Sequence, residues 1–372
     1  MSDADQAKKR TKVNLDQLEL REVTGDELDA VKAALVDSER VHPFSEPTID
    51  DLSKHRLARS HGKPAQGEWD KHCFGLFAPK SHFPQAAVYV NLRHLKADEQ
   101  GKVTSDQLPG NIAEILSEEV KPVANPNTAI FYTISNMTRS DQNTFEVTYE
   151  GCNDSLAERL IKKVAEHLGK KENGAIQNFS TLSPLRSGLG GSAKGFAQWL
   201  DAKLESGGVD ALLTPIEKET LGASPAYGIR SMRDGYKQLG ESQKEFFNTL
   251  MKDLGVYYLA EEKLPKDAKK VRDPVGQFHL SNGAQIANIH YQHNATTESD
   301  QKGGGGLMVN YRYELDEVLA RKEGYYTNGV VALDPVLAKR HTQRLNDMGS
   351  PNRSVDLDGL ERVDRVEQGR AI

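Results

Sequence analysis

Along this chain the apolar positions change period. From Cys73 to Phe77 they run almost continuously and stop before Pro79. Between Ala86 and Leu95, Val88, Val90 and Leu92 share one face of an alternating pattern. Ala129 to Ile134 and Thr144 to Tyr149 read the same way, as do Gln285 to Tyr291 and Leu307 to Tyr313. Alternation and β-branched or aromatic content predict strands there. The spacing becomes helical in Leu156 to Leu168, where Leu156, Leu160, Ile161, Val164 and Leu168 form a stripe. Ser155 and Glu158 supply a capping box and Gly169 a stop. Ile112 to Val120, Phe196 to Ser206 and Lys244 to Leu254 are further expected helices. A short one over Leu28, Val31 and Leu35 is capped by Thr24 or Asp26, and another falls in Glu46 to Ser60.

Helices mixed with antiparallel-type strands predict an α+β fold. Residues 1–24 read as a disordered N-terminus and 25–69 as a short helical segment. Residues 70–340 read as the main α+β domain and 341–372 as a charged tail.

Composition narrows the classes. The chain has 372 residues, 37% of them apolar, enough for a substantial core. A net charge of -6 argues against a generalised nucleic-acid surface. Cys73 and Cys152 make no disulfide framework, so a reducing compartment is expected, and no Cys/His cluster suggests zinc. Met1 to Lys12 lacks the apolar core of a signal peptide, and no apolar run reaches membrane-spanning length. The expectation is a cytoplasmic protein without membrane or nucleic-acid partners.

The candidate chemistry lies in two stretches. In Asp273 to Ala284, His279 stands between Phe278 and Leu280, just before the Asn282-Gly283 turn. Apolar flanks desolvate the ring and tune its pKa towards neutrality. In Phe179 to Pro184, Pro184 holds Ser183 in an extended backbone state. The two form a candidate hydroxyl and proton partner, with a packed core histidine as the structural alternative. His290 and His293 are two strand faces apart in an HxxH, which argues against a metal pair. Gly188 to Ala193 resembles the phosphate loop of small-molecule kinases, but no second kinase motif accompanies it and no Walker loop is formed. Gly303 to Gly306 reads as a hinge or turn. Lys162-Lys163 and Lys269-Lys270 read as solvated faces.

Several motifs, in order, resemble malonyl-CoA decarboxylase: Asp70 to Phe74, Thr128 to Asn136, Leu160 to Lys162, Thr181 to Pro184, Gly195-Phe196 with Trp199-Leu200, Asp273 to Ala284, and Gly306 to Tyr313. The resemblance implies a GNAT-like mixed sheet flanked by helices. It implies cleavage of malonyl-CoA, or a related malonyl-type thioester, to acetyl-CoA and carbon dioxide without metal or organic cofactor. It matches the family's catalytic serine, histidine and tyrosine to Ser183, His279 and Tyr313. Thr181 and Asn282 lie in the same motifs as candidate substrate contacts. Gly151 and Ser155 lie where this fold seats the coenzyme A diphosphate at a helix N-terminus.

Three departures qualify the resemblance. The family places a sizeable helical domain first, and only about forty residues precede His42, so a reduced one is expected. Glu150 and Asp154 crowd the diphosphate turn, which opens acyl carrier protein as an alternative carrier. Arg186 to Lys194 is inserted between the Ser-Pro and Gly-Phe motifs. A GNAT-type acyltransferase, and a binding protein without turnover, are the alternative functions. The assembly state is left open.

Overall fold

The computed structural model describes residues 11–23, 71–81, 84–111, 114–115, 126–136, 147–150, 155–170, 176–185, 195–291 and 305–349. The chain divides into two compact units: residues 1–104 with 112–180, and residues 105–111 with 181–372.

The described residues of the first unit are mostly strands, with one long helix packed on them. Its strands are β1 (Thr11–Asn14), β2 (Glu19–Glu22), β3 (Lys71–Phe77), β4 (Pro84–Arg93), β5 (Thr128–Asn136), β6 (Val147–Glu150) and β7 (Asn178–Thr181). β2, β3, β4 and β5 pair in that order, each antiparallel to the next. β1 and β6 make a separate parallel pair. The long apolar runs of β3 and β4 are buried along nearly their whole length, as strands covered on both faces require. α1 (Leu156–Gly169) buries Leu160, Val164 and Leu168, the stripe its spacing predicts. Phe74 meets His167 of α1 edge-on at 5.7 Å between ring centroids.

The second unit follows from Thr181. β8 (Ser183–Pro184), β9 (Lys263–Leu264), β10 (Asp267–Val271), β11 (Gln285–Tyr291) and β12 (Leu307–Tyr313) are its further strands. β12 pairs antiparallel with β11 on one side and with β8 on the other. The helices are α2 (Phe196–Ser206), α3 (Pro215–Leu221), α4 (Pro225–Asp234), α5 (Glu241–Ala260), α6 (Pro274–Ser281), α7 (Val318–Asn328) and α8 (Pro335–Asp347). α5 supplies the core with Phe247, Leu250, Leu254, Tyr258 and Leu259. It packs on β11.

The fold is α+β, as expected, and several boundaries differ from the sequence reading. Residues 11–23 are structured: Glu19 to Glu22 extends the sheet along β3, and Leu15, Leu18 and Val23 are buried. The chain beyond Arg340 continues as α8 to Asp347. Polar side chains hide this helix from a hydrophobicity reading, because its buried face carries charge. His341 bonds Glu261 at 2.9 Å, and Arg344 bonds Glu217 at 3.0 Å. α3, α4, α6 and α7 were not expected. Lys162 and Lys270 keep exposed side chains and pair at the surface with Glu158 at 2.8 Å and Asp267 at 3.2 Å. The expected helices within 25–69, the insertion 186–194, Gly151, Cys152 and His293 lie outside the described residues. Of the helix expected over Ile112 to Val120, only residues 114–115 are described, and they are helical. Among the described residues no helix is long and apolar enough to cross a membrane.

Candidate active site

Three short elements of the second unit bring the candidate side chains together. The first is β8. Ser183 pairs with Val309 and Pro184 with Met308, so the serine is fixed on the flank of β12. Proline suits this short strand because it needs no ladder donor there.

The second element is α6. Asp273 is its N-cap, accepting the Gly276 N–H at 2.6 Å, and Pro274 occupies the first helical position. Eight residues of helix then carry His279 into the last turn. The turn closes when the N–H groups of Asn282 and Ala284 donate to the His279 carbonyl, each at 3.1 Å. Gly283 takes a φ of +82° there, and a Cβ would stand 2.2 Å from the Val318 carbonyl oxygen. Glycine is required at that position by both conformation and space.

The third element is β12. Its alternation places Tyr311 and Tyr313 on one face and Asn310 and Arg312 on the other. Asn310 donates to the carbonyls of Pro109 and Thr181, both at 3.0 Å, and bonds the His290 ring at 2.7 Å. Arg312 bonds Ser105 at 3.2 Å and faces Asp334 at 3.5 Å. These contacts tie the rear of the strand down while its tyrosine face meets the histidine.

The resulting chain of polar groups is buried. Ser183 Oγ lies 3.2 Å from His279 Nε2, and His279 Nδ1 lies 2.8 Å from the Tyr313 hydroxyl. Ser183 Oγ also reaches Thr181 Oγ1 at 3.3 Å. The Tyr311 ring stacks on the imidazole, centroids 4.4 Å apart, and Phe278 meets it edge-on at 5.0 Å. His279 is 3% exposed, which leaves little water to solvate a charged ring.

Two effects oppose each other at this imidazole. The C-terminal end of a helix favours a cation by at most about 2 kcal/mol. Burial disfavours it and wins, lowering the His279 pKa from 6.5 to about 3. The ring is therefore neutral at physiological pH, further from protonation than its flanking residues alone suggest. Its Nδ1 partner is a phenol, where hydrolytic triads place a carboxylate. Such a set is suited to moving or donating a proton among neutral groups rather than to storing charge.

Of the other residues singled out by sequence, Asn282 is buried and serves as the cap of α6. Ser155 is exposed in the first unit and caps α1 by accepting from the Glu158 N–H at 3.2 Å. Tyr311 and Asn310 were missed. The signal was present: Tyr311 shares the strand face of Tyr313, and Asn310 is a polar residue inside an apolar strand. Among the described residues no group of three or more His, Cys, Asp or Glu side chains is placed to hold a metal ion.

Residues 64–351 match the family model for the malonyl-CoA decarboxylase C-terminal domain. The mitochondrial malonyl-CoA decarboxylase of Anser anser anser is 27% identical over 245 residues, covering 63% of this chain and 44% of that protein. Its counterpart in Mus musculus is 31% identical over 227 residues, 57% of this chain and 40% of that protein. The similarity thus spans less than half the length of these curated relatives. Among solved structures, malonyl-CoA decarboxylase from Agrobacterium vitis aligns with a TM-score of 0.64 at 23% identity, covering 88% of this chain and 67% of that one. The Rhodopseudomonas palustris enzyme aligns at 0.59 with 25% identity and the same coverage. With three-quarters of its length inside the family model, the chain belongs to the malonyl-CoA decarboxylase C-terminal domain family.

Proposed function

We propose that this chain decarboxylates malonyl-CoA, or a malonyl group on a related thioester carrier, to the acetyl thioester and carbon dioxide. Family membership supports the reaction class. The observation that carries the residue assignment is the buried, uncharged chain of Ser183, His279 and Tyr313.

The reaction breaks the bond between the carboxylate and the α-carbon. Its electron pair passes into the thioester as an enolate, and one proton must then reach the α-carbon. The barrier is the negative charge that grows on the thioester oxygen. Placed hydrogen-bond donors lower it by about 3–4 kcal/mol each where water is excluded. Ser183 is the donor we assign to that oxygen. His279 holds Ser183 on one side and Tyr313 on the other, and the phenol is the more acidic end of the chain. We assign Tyr313, acting through or beside His279, to deliver the proton, a contribution of roughly 10²- to 10⁴-fold. A pre-charged imidazolium is not needed, because the proton demand arises only after carbon dioxide leaves.

Asn282 remains a candidate contact for the acyl group. Ser155 and Gly151 remain candidates for the coenzyme A diphosphate, with the Ser155 cap lending one backbone donor set at a helix start. Their acidic setting keeps an acyl carrier protein open as the carrier.

The test is mass spectrometry of thioester products after incubation with malonyl-CoA and, in parallel, malonyl-acyl carrier protein. Acetyl thioester is expected from wild type, and its formation is expected to be lost in Ser183→Ala and His279→Ala. Undiminished product from both variants would discard the residue assignment. No acetyl thioester from either carrier would discard the reaction.

A further inference from the structure

The polar chain has a direction that its distances define. A neutral imidazole has one N–H and one bare nitrogen, and which is which follows from the partners. His279 offers Nδ1 to Tyr313 at 2.8 Å and Nε2 to Ser183 at 3.2 Å. A phenol is a better donor than an alkyl hydroxyl and a poorer acceptor. The bare nitrogen, the strongest neutral acceptor present, pairs with that donor across the shorter contact. Nδ1 is then bare, and Nε2 carries the hydrogen.

Ser183 Oγ must in turn accept from Nε2–H and place its own hydrogen elsewhere. Thr181 Oγ1 is 3.3 Å away and in line to take it. Thr181 is held at its side chain and at its backbone. The Tyr311 backbone N–H donates to Oγ1 at 3.3 Å, and Asn310 Nδ2 holds the carbonyl of the same residue at 3.0 Å. The acceptor is anchored to β12, the strand that also carries Tyr313.

We infer that Thr181 is a positioning residue that sets the hydrogen-bond direction Tyr313 to His279 to Ser183 to Thr181, so that His279 stands as the Nε2–H tautomer. Its consequence for turnover rests on the decarboxylase reading; the tautomer itself does not. In this arrangement the serine hydrogen rests on a long, weak contact. It can turn to a substrate oxygen while Ser183 keeps accepting from His279, so no proton has to move before the enolate forms. Thr181 thereby acts on the substrate through Ser183 instead of touching it.

The experiment begins with the free protein. With ¹⁵N-labelled histidine near neutral pH, the resonances lost in His279→Gln identify this ring. A protonated Nε2 and a pyridine-like Nδ1 are expected; a hydrogen on Nδ1 overturns the inference. Kinetics with malonyl-CoA follow for Thr181→Val and Thr181→Ser. Without that acceptor the reversed direction, in which Ser183 donates to Nε2, competes with the productive one, and kcat should fall about tenfold with KM in place. Thr181→Ser should restore it. A raised KM at unchanged kcat would make Thr181 a substrate contact and overturn the positioning role. Should Thr181→Val fail to fold, the same resonances and kinetics in Thr181→Cys, whose sulfur is a weak acceptor, decide instead: wild-type kcat there overturns the positioning role. A wild type without turnover would remove the decarboxylase reading alone, since the resonances report direction without substrate.

Discussion

The His279 imidazole lies on the Tyr311 ring, planes 21° apart and centroids 4.4 Å apart. One face of the base is therefore closed by an aromatic plate on the same strand as its hydrogen-bond partner Tyr313. The plate excludes water from the ring, and burial is what lowers its pKa to about 3. Gly276 makes the approach possible: a Cβ there would sit 3.1 Å from the Tyr311 hydroxyl oxygen. Tyr311→Leu should open that face and raise the His279 pKa towards 6.5, read from the imidazole resonances across a pH titration. Tyr311→Phe keeps the plate and should leave the value low. An unchanged pKa in the leucine variant would show that the plate is not the shield.

The same shift links the site to stability. The folded pKa of His279 is depressed, so between about 3 and 6.5 the unfolded chain binds a proton that the folded chain refuses. Stability contributed by the neutral ring is present above 6.5 and is lost as pH falls through that window. The loss is about 1.4 kcal/mol per pH unit within the window. His279→Gln should flatten the pH dependence of the urea midpoint between pH 4 and about 6 relative to wild type. Parallel curves for the two proteins would contradict the depressed pKa.

Much of the framework was legible locally. β3, β5, β11, β12 and α1 were legible from apolar and β-branched content, helical spacing and capping. Four helices begin with a capping residue followed by proline: Thr214-Pro215, Ser224-Pro225, Asp273-Pro274 and Asp334-Pro335. That signal was in the sequence and outweighs their weak apolar stripes. The meeting of Ser183 with His279 was not legible from period or propensity. The two lie 96 positions apart in sequence, and their approach depends on the pairing of β8 with β12. The family resemblance selected them; the strand pairing shows how they come together. The buried charges of α8 were hidden for a different reason: a polar pattern reads as solvated until its partners are known.

Tyr313→Phe tests the acid end of the polar chain. The ring and its packing stay, while the 2.8 Å donor to His279 Nδ1 is removed. If the phenol delivers the proton, kcat for malonyl thioester should fall by about 10²-fold or more, with KM little changed. A solvent isotope effect should rise as protonation becomes limiting. Wild-type kcat in this variant would reduce Tyr313 to packing.

Behind the site, Arg312 is a cation at 3% side-chain exposure whose carboxylate neighbour is Asp334. Ser105 bridges them, donating to Asp334 at 2.5 Å and accepting from Arg312 at 3.2 Å. Asp334 also caps α8, accepting the Val336 N–H at 3.1 Å. Removing one partner of a buried pair weakens what compensates the other charge, at a typical cost of up to about 3–5 kcal/mol. Asp334→Ala should therefore lower the urea midpoint severely, and Asp334→Asn less so, because the amide still caps the helix. Arg312 occupies the strand position between Tyr311 and Tyr313, so loosening it should also disturb the tyrosine face. Activity should fall in Asp334→Asn even at temperatures where the protein is fully folded. A variant with wild-type midpoint and wild-type rate would show that the ion pair neither stabilises the unit nor supports the register of β12.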